Sequence, residues 1–533
     1  MDSNSFDGII LGTGHNALIL QAYLSRCGLR TLSVDRAAVP GGGLSTIENE
    51  RIRGVFHNPH SFFHRAITTM PWYRDLDLKQ HGATYIEPEL NVAMLLRGGR
   101  SLQWWTDLDR SVESFAGLSR HDADQIRRWS EEFRPIVEEI LIPEAQSPPL
   151  PPAERERLLR RTAMGRRLLE IQALSPLEFV TREFKHDAVR AGLLFFNGLR
   201  EVDLRLKGFG HAIPALLASP HKAQMCLGGA SRLAEALIED IEDHGGAIRC
   251  GISIKGIMTT KGRVTGIELE NGEQISTNGF VASGLNPQQT FLQLLPDSAT
   301  TAELREKAAR FKYNLLAPLF GLHIATKEPP NYTNQDAENA LMTIIGLEKL
   351  DQFNEIVAAH EQGEIPSTVA WGANPTAFDA SQGGNGLHAS FMWEKLPYRL
   401  QGDPGNWKHA RDTHGTDLLD FWSQYAPNVV GDNLLDHFCL SALDTETSLP
   451  NMAEGDLLVG SFADNQIGYN RPFAGAGTYR TPIPGLYLCG GSTHPGGNIT
   501  GLCGYNAAGV IAADAGKPLW WNPRDIESHL AAL

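Results

Sequence analysis

The run Gly12-Thr13-Gly14-His15-Asn16-Ala17 sets two glycines and a small residue at the spacing G-x-G-x-x-A, and a lone acid, Asp35, follows about twenty residues on. Each residue type has a physical task. Gly12 permits a tight turn, Gly14 lets backbone approach a diphosphate, and Ala17 lets a helix pack closely on a strand. The helix N-terminus offers unpaired N–H groups and partial positive charge to phosphate, and the Asp35 carboxylate can accept hydrogen bonds from a ribose. A second glycine run, Pro40-Gly41-Gly42-Gly43-Leu44-Ser45-Thr46, comes directly after the acid. A third, Gly490-Gly491-Ser492-Thr493-His494-Pro495-Gly496-Gly497-Asn498-Ile499-Thr500-Gly501, stands near the other end of the chain. One loop suffices for a nicotinamide dinucleotide; three imply the larger FAD, whose ribityl chain and isoalloxazine need further close backbone approach. The cofactor site is therefore expected to use Gly12, Gly14, His15, Asn16, Ala17, Asp35 and Arg36, then Gly42, Gly43, Leu44 and Ser45, and finally Gly490, Gly491, Thr493, Gly497, Asn498 and Ile499. A helix N-terminus aimed at the flavin N1–C2=O edge would stabilise the negative charge that appears when N5 accepts hydride.

The residues that could move a proton are fewer. Phe56-His57-Asn58-Pro59-His60-Ser61-Phe62-Phe63-His64 concentrates three histidines, and His494 sits inside the last glycine run. An imidazole with an ordinary pKa near 6.5 suits removal of an acidic α-proton. His60 and His494 are the leading candidates, with His57 and His64 beside them, and Tyr479 and Tyr505 are phenols able to polarise a carbonyl. Each of these residues is equally at home as a hydrogen-bonded structural group.

These groups need elements to hold them. Asp7–Leu11 is a short apolar run entering the first glycine turn, Asn16–Cys27 has apolar residues at helical spacing, and Leu29–Val34 is a second strand: a βαβ unit. Residues 107–217 are mainly helical, interrupted from Ile142-Pro143 to Pro152 by five prolines, which forbid a helix and mark a linker or lid hinge. Residues 245–283 alternate as strands around the turn signals Lys261-Gly262 and Asn271-Gly272. Residues 290–474 give no close assignment. Leu486–Cys489 is a buried strand leading into the last glycine run, and the Ala-rich helix Tyr505–Ala515 returns the chain to the first sheet. The expected class is α/β: a Rossmann-like FAD-binding domain of glutathione-reductase or amine-oxidase type (1–72, 222–290 and 475–533) with an interleaved α+β substrate domain and helical lid (73–221 and 291–474). Gly475-Ala476-Gly477 follows a loop and Gly383-Gly384-Asn385-Gly386 lacks a preceding apolar run, so no nicotinamide domain is expected.

The chain resembles the phytoene-desaturase-related flavoproteins, which include carotenoid desaturases and isomerases. The resemblance rests on Asp7 to Asn16, on Gly228-Gly229 opening the helix Ser231–His244, and on Tyr479-Arg480-Thr481-Pro482 followed by Gly485 to Gly497. It implies that Ile254 touches adenine through its backbone and that the carboxy-terminal glycine loop lies along ribityl and flavin. Asp35 replaces a more usual glutamate, Asn498-Ile499 and Leu502-Cys503 replace smaller residues, and the histidine-rich segment is polar for a site handling a long carotenoid. A smaller, partly polar substrate such as a cyclic ketone is the expectation.

At 533 residues, with 42% hydrophobic and 20% charged residues, the chain is long enough for two packed domains. A formal charge of −15 and a pI near 5.6 oppose binding to nucleic acid and anionic lipid. Six cysteines without a C-x-x-C pair form neither a disulfide framework nor a zinc pattern, and the short polar start leaves no room for a signal peptide; a reducing, cytoplasmic setting is expected. No run of about 20 apolar residues could span a bilayer, so membrane contact would at most be peripheral; the face carrying Arg155, Arg157, Arg160, Arg161, Arg166 and Arg167 is read first as a solvated helix face, with a membrane-surface contact as the alternative. Trp104-Trp105 and Trp520-Trp521 suit a pocket wall, a homo-oligomer contact or core packing. The chemistry expected is an FAD-dependent desaturase or dehydrogenase taking hydride from a small-molecule substrate and passing electrons to oxygen or a quinone, with no metal. Amine oxidase or polyene desaturase, a non-redox isomerase using reduced flavin, and a non-catalytic binding protein on the same scaffold are the alternatives.

Overall fold

The computed structural model describes residues 5–195, 202–463 and 465–533. The apolar runs at Ile9-Ile10-Leu11, Leu32 to Val34 and Phe280-Val281-Ala282 become the centre of a parallel sheet, as expected of strands buried on both faces. Strands Ala247–Arg249, Thr31–Val34, Ser5–Leu11, Gln274–Ser283 and Leu486–Leu488 lie side by side in that order, all parallel. The antiparallel pair Ile254–Thr260 and Arg263–Leu269 extends the sheet from the first half of Gln274–Ser283. Its turn runs through Lys261 and Gly262 at φ 51° and 75°, the left-handed geometry of a two-residue hairpin. Helices His15–Arg26, Ser231–Asp243 and Leu502–Asp514 pack together in the core on one face of the sheet.

A second seven-stranded sheet has the order Leu434–Leu440, Leu319–Thr326, His388–Lys395, Ala370–Ala373, Met342–Ile345, Leu90–Leu95 and Ser101–Trp105. Only Met342–Ile345 and Leu90–Leu95 run parallel. Side-chain alternation divides its faces. Val92, Met94, Phe391 and Trp393 join the core under the helices of residues 108–218, while Ala93, Leu95 and Met392 join the core under helix Trp407–Ser423. The fold is a Rossmann-like α/β layer joined to a second α/β layer.

The proline-rich stretch departs from expectation. Helix Arg120–Ile136 runs on through a wide turn, Val137–Leu141, into the helical Ile142–Ala145, so only residues 146–151 are non-helical. Pro143 and Pro152 sit in the first turns of their helices, where a missing N–H is tolerated. Nor does the stretch read as a free hinge: Asn506 Nδ2 donates to the carbonyls of Ala145 and Ser147, and Ser147 Oγ to that of Pro143. Four of the six arginines of that face pair with carboxylates, Arg155 with Glu144, Arg157 with Glu154, Arg160 with Glu156 and Arg167 with Glu132 and Glu170, and Arg166 donates to Arg160 C=O. Trp104 and Trp521 are buried, and Trp520 stacks on Tyr23. Among the described residues no helix is long and apolar enough to cross a membrane, and no group of three or more His, Cys, Asp or Glu side chains could hold a metal.

Candidate active site

The first strand ends at Gly12, whose φ of +94° makes the sharp exit into the helix. Gly14 caps that helix with extended backbone and no side-chain hydrogen bond, and its first turn holds no acid. The leading N–H groups are thereby left to an anion. Asp35 Oδ2 accepts from both the backbone N–H and the hydroxyl of Thr13 (2.8 Å each), and Oδ1 accepts from Ala37 N–H. The acid thus fixes the glycine turn and still has lone pairs for a ligand hydroxyl.

The second glycine run touches the first through backbone. Gly41 N–H donates to Thr13 C=O at 3.0 Å, and a Cβ on Gly42 would stand 3.2 Å from Gly14 Cα. The carboxy-terminal run arrives from the opposite side: a Cβ on Gly490 would meet Gly284 O at 2.2 Å and one on Gly497 would meet Leu458 O at 1.9 Å. The three runs, two near the start of the chain and one near its end, close around one cavity of about 420 Å³.

Of the expected cofactor residues, Gly12, Gly14, His15, Asn16, Ala17, Asp35, Arg36, Gly42, Gly43, Ile254, Gly490, Gly491, Gly497, Asn498 and Ile499 line this cavity. Leu44, Ser45 and Thr493 do not: Leu44 is core, and Thr493 Oγ1 donates to Gly490 C=O, holding the loop from behind. Residues missed in the sequence complete the wall. They are Gly284, Leu285, Gln289 and Gln293 after the long strand, and Ser448 to Met452 with Leu457 and Val459. The first group had a signal in the glycine ending the run Phe280-Val281-Ala282; the second had none. At Gly228-Gly229, Asn58 Oδ1 and Thr46 Oγ1 accept the N–H groups of Ala230 and Ser231 that open the helix.

A smaller cavity of about 90 Å³ adjoins the first, and the two share Gly43, Met452, Leu457, Asn498 and Ile499. Phe62, Phe63, Leu319, Trp371 and Trp393 make it an aromatic box. His60 and Lys395 are its titratable groups, Lys395 Nζ donating to Ala317 C=O. Burial lowers His60 to a pKa of about 4, so its ring is neutral at pH 7. Asn498 bridges the two cavities with φ +117°, strained backbone for a residue with a Cβ.

The other proton-transfer candidates lie elsewhere. His494 reaches neither cavity; its Nε2 is hydrogen-bonded to Glu144 C=O at 3.0 Å, and burial holds its pKa near 4. Tyr479 is fully buried and donates to His494 C=O. Tyr505 packs edge-on against Tyr23 inside the core. His57 meets Asn49 and stacks edge-on against Phe438, and His64 is held by Ser61 and Tyr85. All are hydrogen-bonded or packed side chains of the scaffold.

Behind the carboxy-terminal loop lies an unforeseen cation. Arg471 is fully buried, and its guanidinium donates to the carbonyls of Val459, Gly460, Ser461, Gln466, Gly491 and Thr493. Buried Asp456 holds the same loop from its other side, accepting from the N–H groups of Asn314, Leu458 and Gly460. Two opposite charges thus clamp a segment that walls both cavities.

The cavity fits FAD on its own geometry. Helix His15–Arg26 begins at its wall without a side-chain cap or an acid, glycines admit backbone where a Cβ would clash, and Gln289 Oε1 is buried at the wall without a partner among the described residues. No family model matches the chain. It is 27% identical over 547 residues to one of the subunits of limonene dehydrogenase from Castellaniella defragrans, covering 97% of this chain and 96% of that protein. It is 25% identical to pyridine nucleotide-disulfide oxidoreductase domain-containing protein 2 of Rattus norvegicus, covering 96% and 94%. Cyclohexylamine oxidase from Brevibacterium oxydans has the same fold, with a TM-score of 0.60 at 12% identity over 96% of this chain and all of that one. The fold is that of the amine-oxidase type of flavoenzyme, and the chain is an FAD-dependent oxidoreductase.

Proposed function

We propose that the protein is a dehydrogenase, or desaturase, of a compact, mainly apolar cyclic molecule, and that it stands near the phytoene-desaturase-related flavoproteins. One observation carries the reading: the aromatic box meets the cofactor cavity at Gly43, Met452, Leu457, Asn498 and Ile499, and His60 faces into it. FAD, when bound, would supply the two-electron acceptor for the substrate's hydride, with oxygen or a quinone as the final acceptor. Asp35 and the uncapped start of the first helix would hold its ribose and diphosphate, with Arg36, the glycine runs and the backbone at Ile254 completing the cradle. Phe62, Trp371 and Trp393 orient the substrate and exclude water, which fixes which C–H bond faces the cofactor. His60 accepts the proton from the neighbouring carbon as the double bond forms. Lys395 holds a polar substituent where one is present.

The small box and its aromatic walls favour a ring compound over an extended polyene, and the relative named for limonene points the same way. An amine substrate is the second reading, supported by the shared fold of cyclohexylamine oxidase. Mixing the FAD-loaded protein anaerobically with cyclic monoterpenes, cyclic ketones, alicyclic amines and polyenes while recording flavin absorbance tests this. Bleaching by a cyclic hydrocarbon or ketone is expected; bleaching by amines alone selects the second reading, and bleaching by polyenes alone overturns both.

A further inference from the structure

We propose that the protein carries a second ligand site, for a compact apolar carboxylate, beneath the helical layer, walled by Trp104 and Trp105 and cationic at the end formed by Lys222 and Arg134. A cavity of about 210 Å³ lies there, and none of its lining residues belongs to the cofactor cavity or the aromatic box. Its lining includes two cations and no carboxylate. Leu108, Ile126 and Leu217 add apolar wall to the two indoles.

Lys222 is the informative group. It is only 6% exposed, yet among the described residues its ammonium makes no ion pair: Nζ donates to Ser219 C=O at 2.7 Å and lies 5.3 Å from the centre of the Trp104 ring. A buried ammonium so placed is under-compensated. The charged groups around it come from each packed element. Arg65 of strand Phe63–Arg65 and Arg134 of helix Arg120–Ile136 repel it, and Glu87, already receiving Lys222 N–H and Gln224 Nε2, opposes them only in part. His221 faces Glu87 rather than the cavity. Burial first, then these arginines, bring Lys222 down to about 7.

An incoming carboxylate compensates this end of the cavity, and Lys222 then takes up a proton wherever the pH leaves it neutral. Below pH 7 the amine is already charged and affinity is flat; above pH 7 each unit of pH weakens binding by up to about tenfold, until the bound-state pKa is passed. The site also adjoins the chemistry through backbone. Ala66 N–H donates to Lys222 C=O, and Arg65 pairs with Ala223 on the strand that continues the segment bearing His60.

Calorimetric titration of the FAD-loaded protein with benzoate, from pH 6 to 8.5 and in two buffers of different ionisation enthalpy, tests the proposal. One benzoate per chain is expected, with proton uptake above pH 7 and no change in the flavin spectrum. Lys222→Met is expected to weaken binding at least about tenfold and Arg134→Ala less. Lys222→Arg, which keeps the charge, is expected to bind with no pH dependence, so loss of binding in a misfolded Lys222→Met protein cannot be mistaken for support. Absence of binding at millimolar benzoate and pH 6, equal affinity for benzyl alcohol or inorganic phosphate, or unaltered binding in both Lys222 variants would overturn it.

Discussion

At the scale of single residues, His60 is set apart from its neighbours by what it touches. His57, His64 and His494 each spend a ring nitrogen on a scaffold partner, whereas His60 faces the aromatic box beside the cofactor cavity. Removing a general base slows proton transfer by about 10²–10⁴-fold, so His60→Ala is expected to slow anaerobic flavin reduction by that order while the protein keeps its FAD. Its pKa of about 4 fixes the pH profile. The base is neutral throughout the physiological range, so the reduction rate should be flat between pH 6 and 8; a step centred near 6.5 in stopped-flow traces contradicts this assignment. The histidines were legible in the sequence as candidates, but which one faces the cavity was not. That choice depends on partners such as Glu144, which lies 350 residues from His494.

At the scale of elements, the loop of residues 456–461 and the carboxy-terminal glycine loop hold their shape through Arg471. Removing the guanidinium takes a donor from six buried carbonyls, of which, among the described residues, only those of Gly460, Ser461 and Thr493 keep another, and Arg471→Met is expected to destabilise the protein by about 3 kcal/mol or more and to weaken FAD binding. Urea unfolding and flavin fluorescence titration measure the two effects. An Arg471→Met protein as stable and as tightly loaded as the parent shows that the clamp is dispensable. Nothing local in the sequence announced it. The glycine loops were readable because their function depends on contiguous residues with special backbone needs, whereas Arg471 acts on carbonyls from two distant turns. The aromatic box was hidden for a related reason: Trp371 and Trp393 are adjacent only through antiparallel register, and their strands are buried on both faces without alternation.

At the scale of the whole molecule, buried neutral histidines couple stability to pH. Burial lowers His15, His57, His60, His211, His360 and His494 to about 4 and His64 to about 3. In the unfolded chain they protonate near 6.5, so stability is full above that pH and falls as pH drops from 6.5 toward 4, by up to about 1.4 kcal/mol per pH unit for each such histidine. Urea midpoints at pH 7, 6 and 5 should fall steadily; a constant midpoint shows that these rings are hydrated. The strands Ser5–Leu11, Gln274–Ser283 and Leu486–Leu488 were legible because their apolar runs abut glycine turns, while the edge strand Ala247–Arg249 and the second sheet were not, their strands being joined across long intervals. What unites these layers is the proposal that three glycine runs enclose one FAD. Gly14 tests this most directly: its backbone is extended, and a Cβ there meets nothing within 4 Å, so a larger side chain enters the cavity without disturbing the packing. Fluorescence titration of the apoprotein with FAD should give one site per chain in the parent and none in a folded Gly14→Val protein; undiminished FAD binding by that variant would contradict the account.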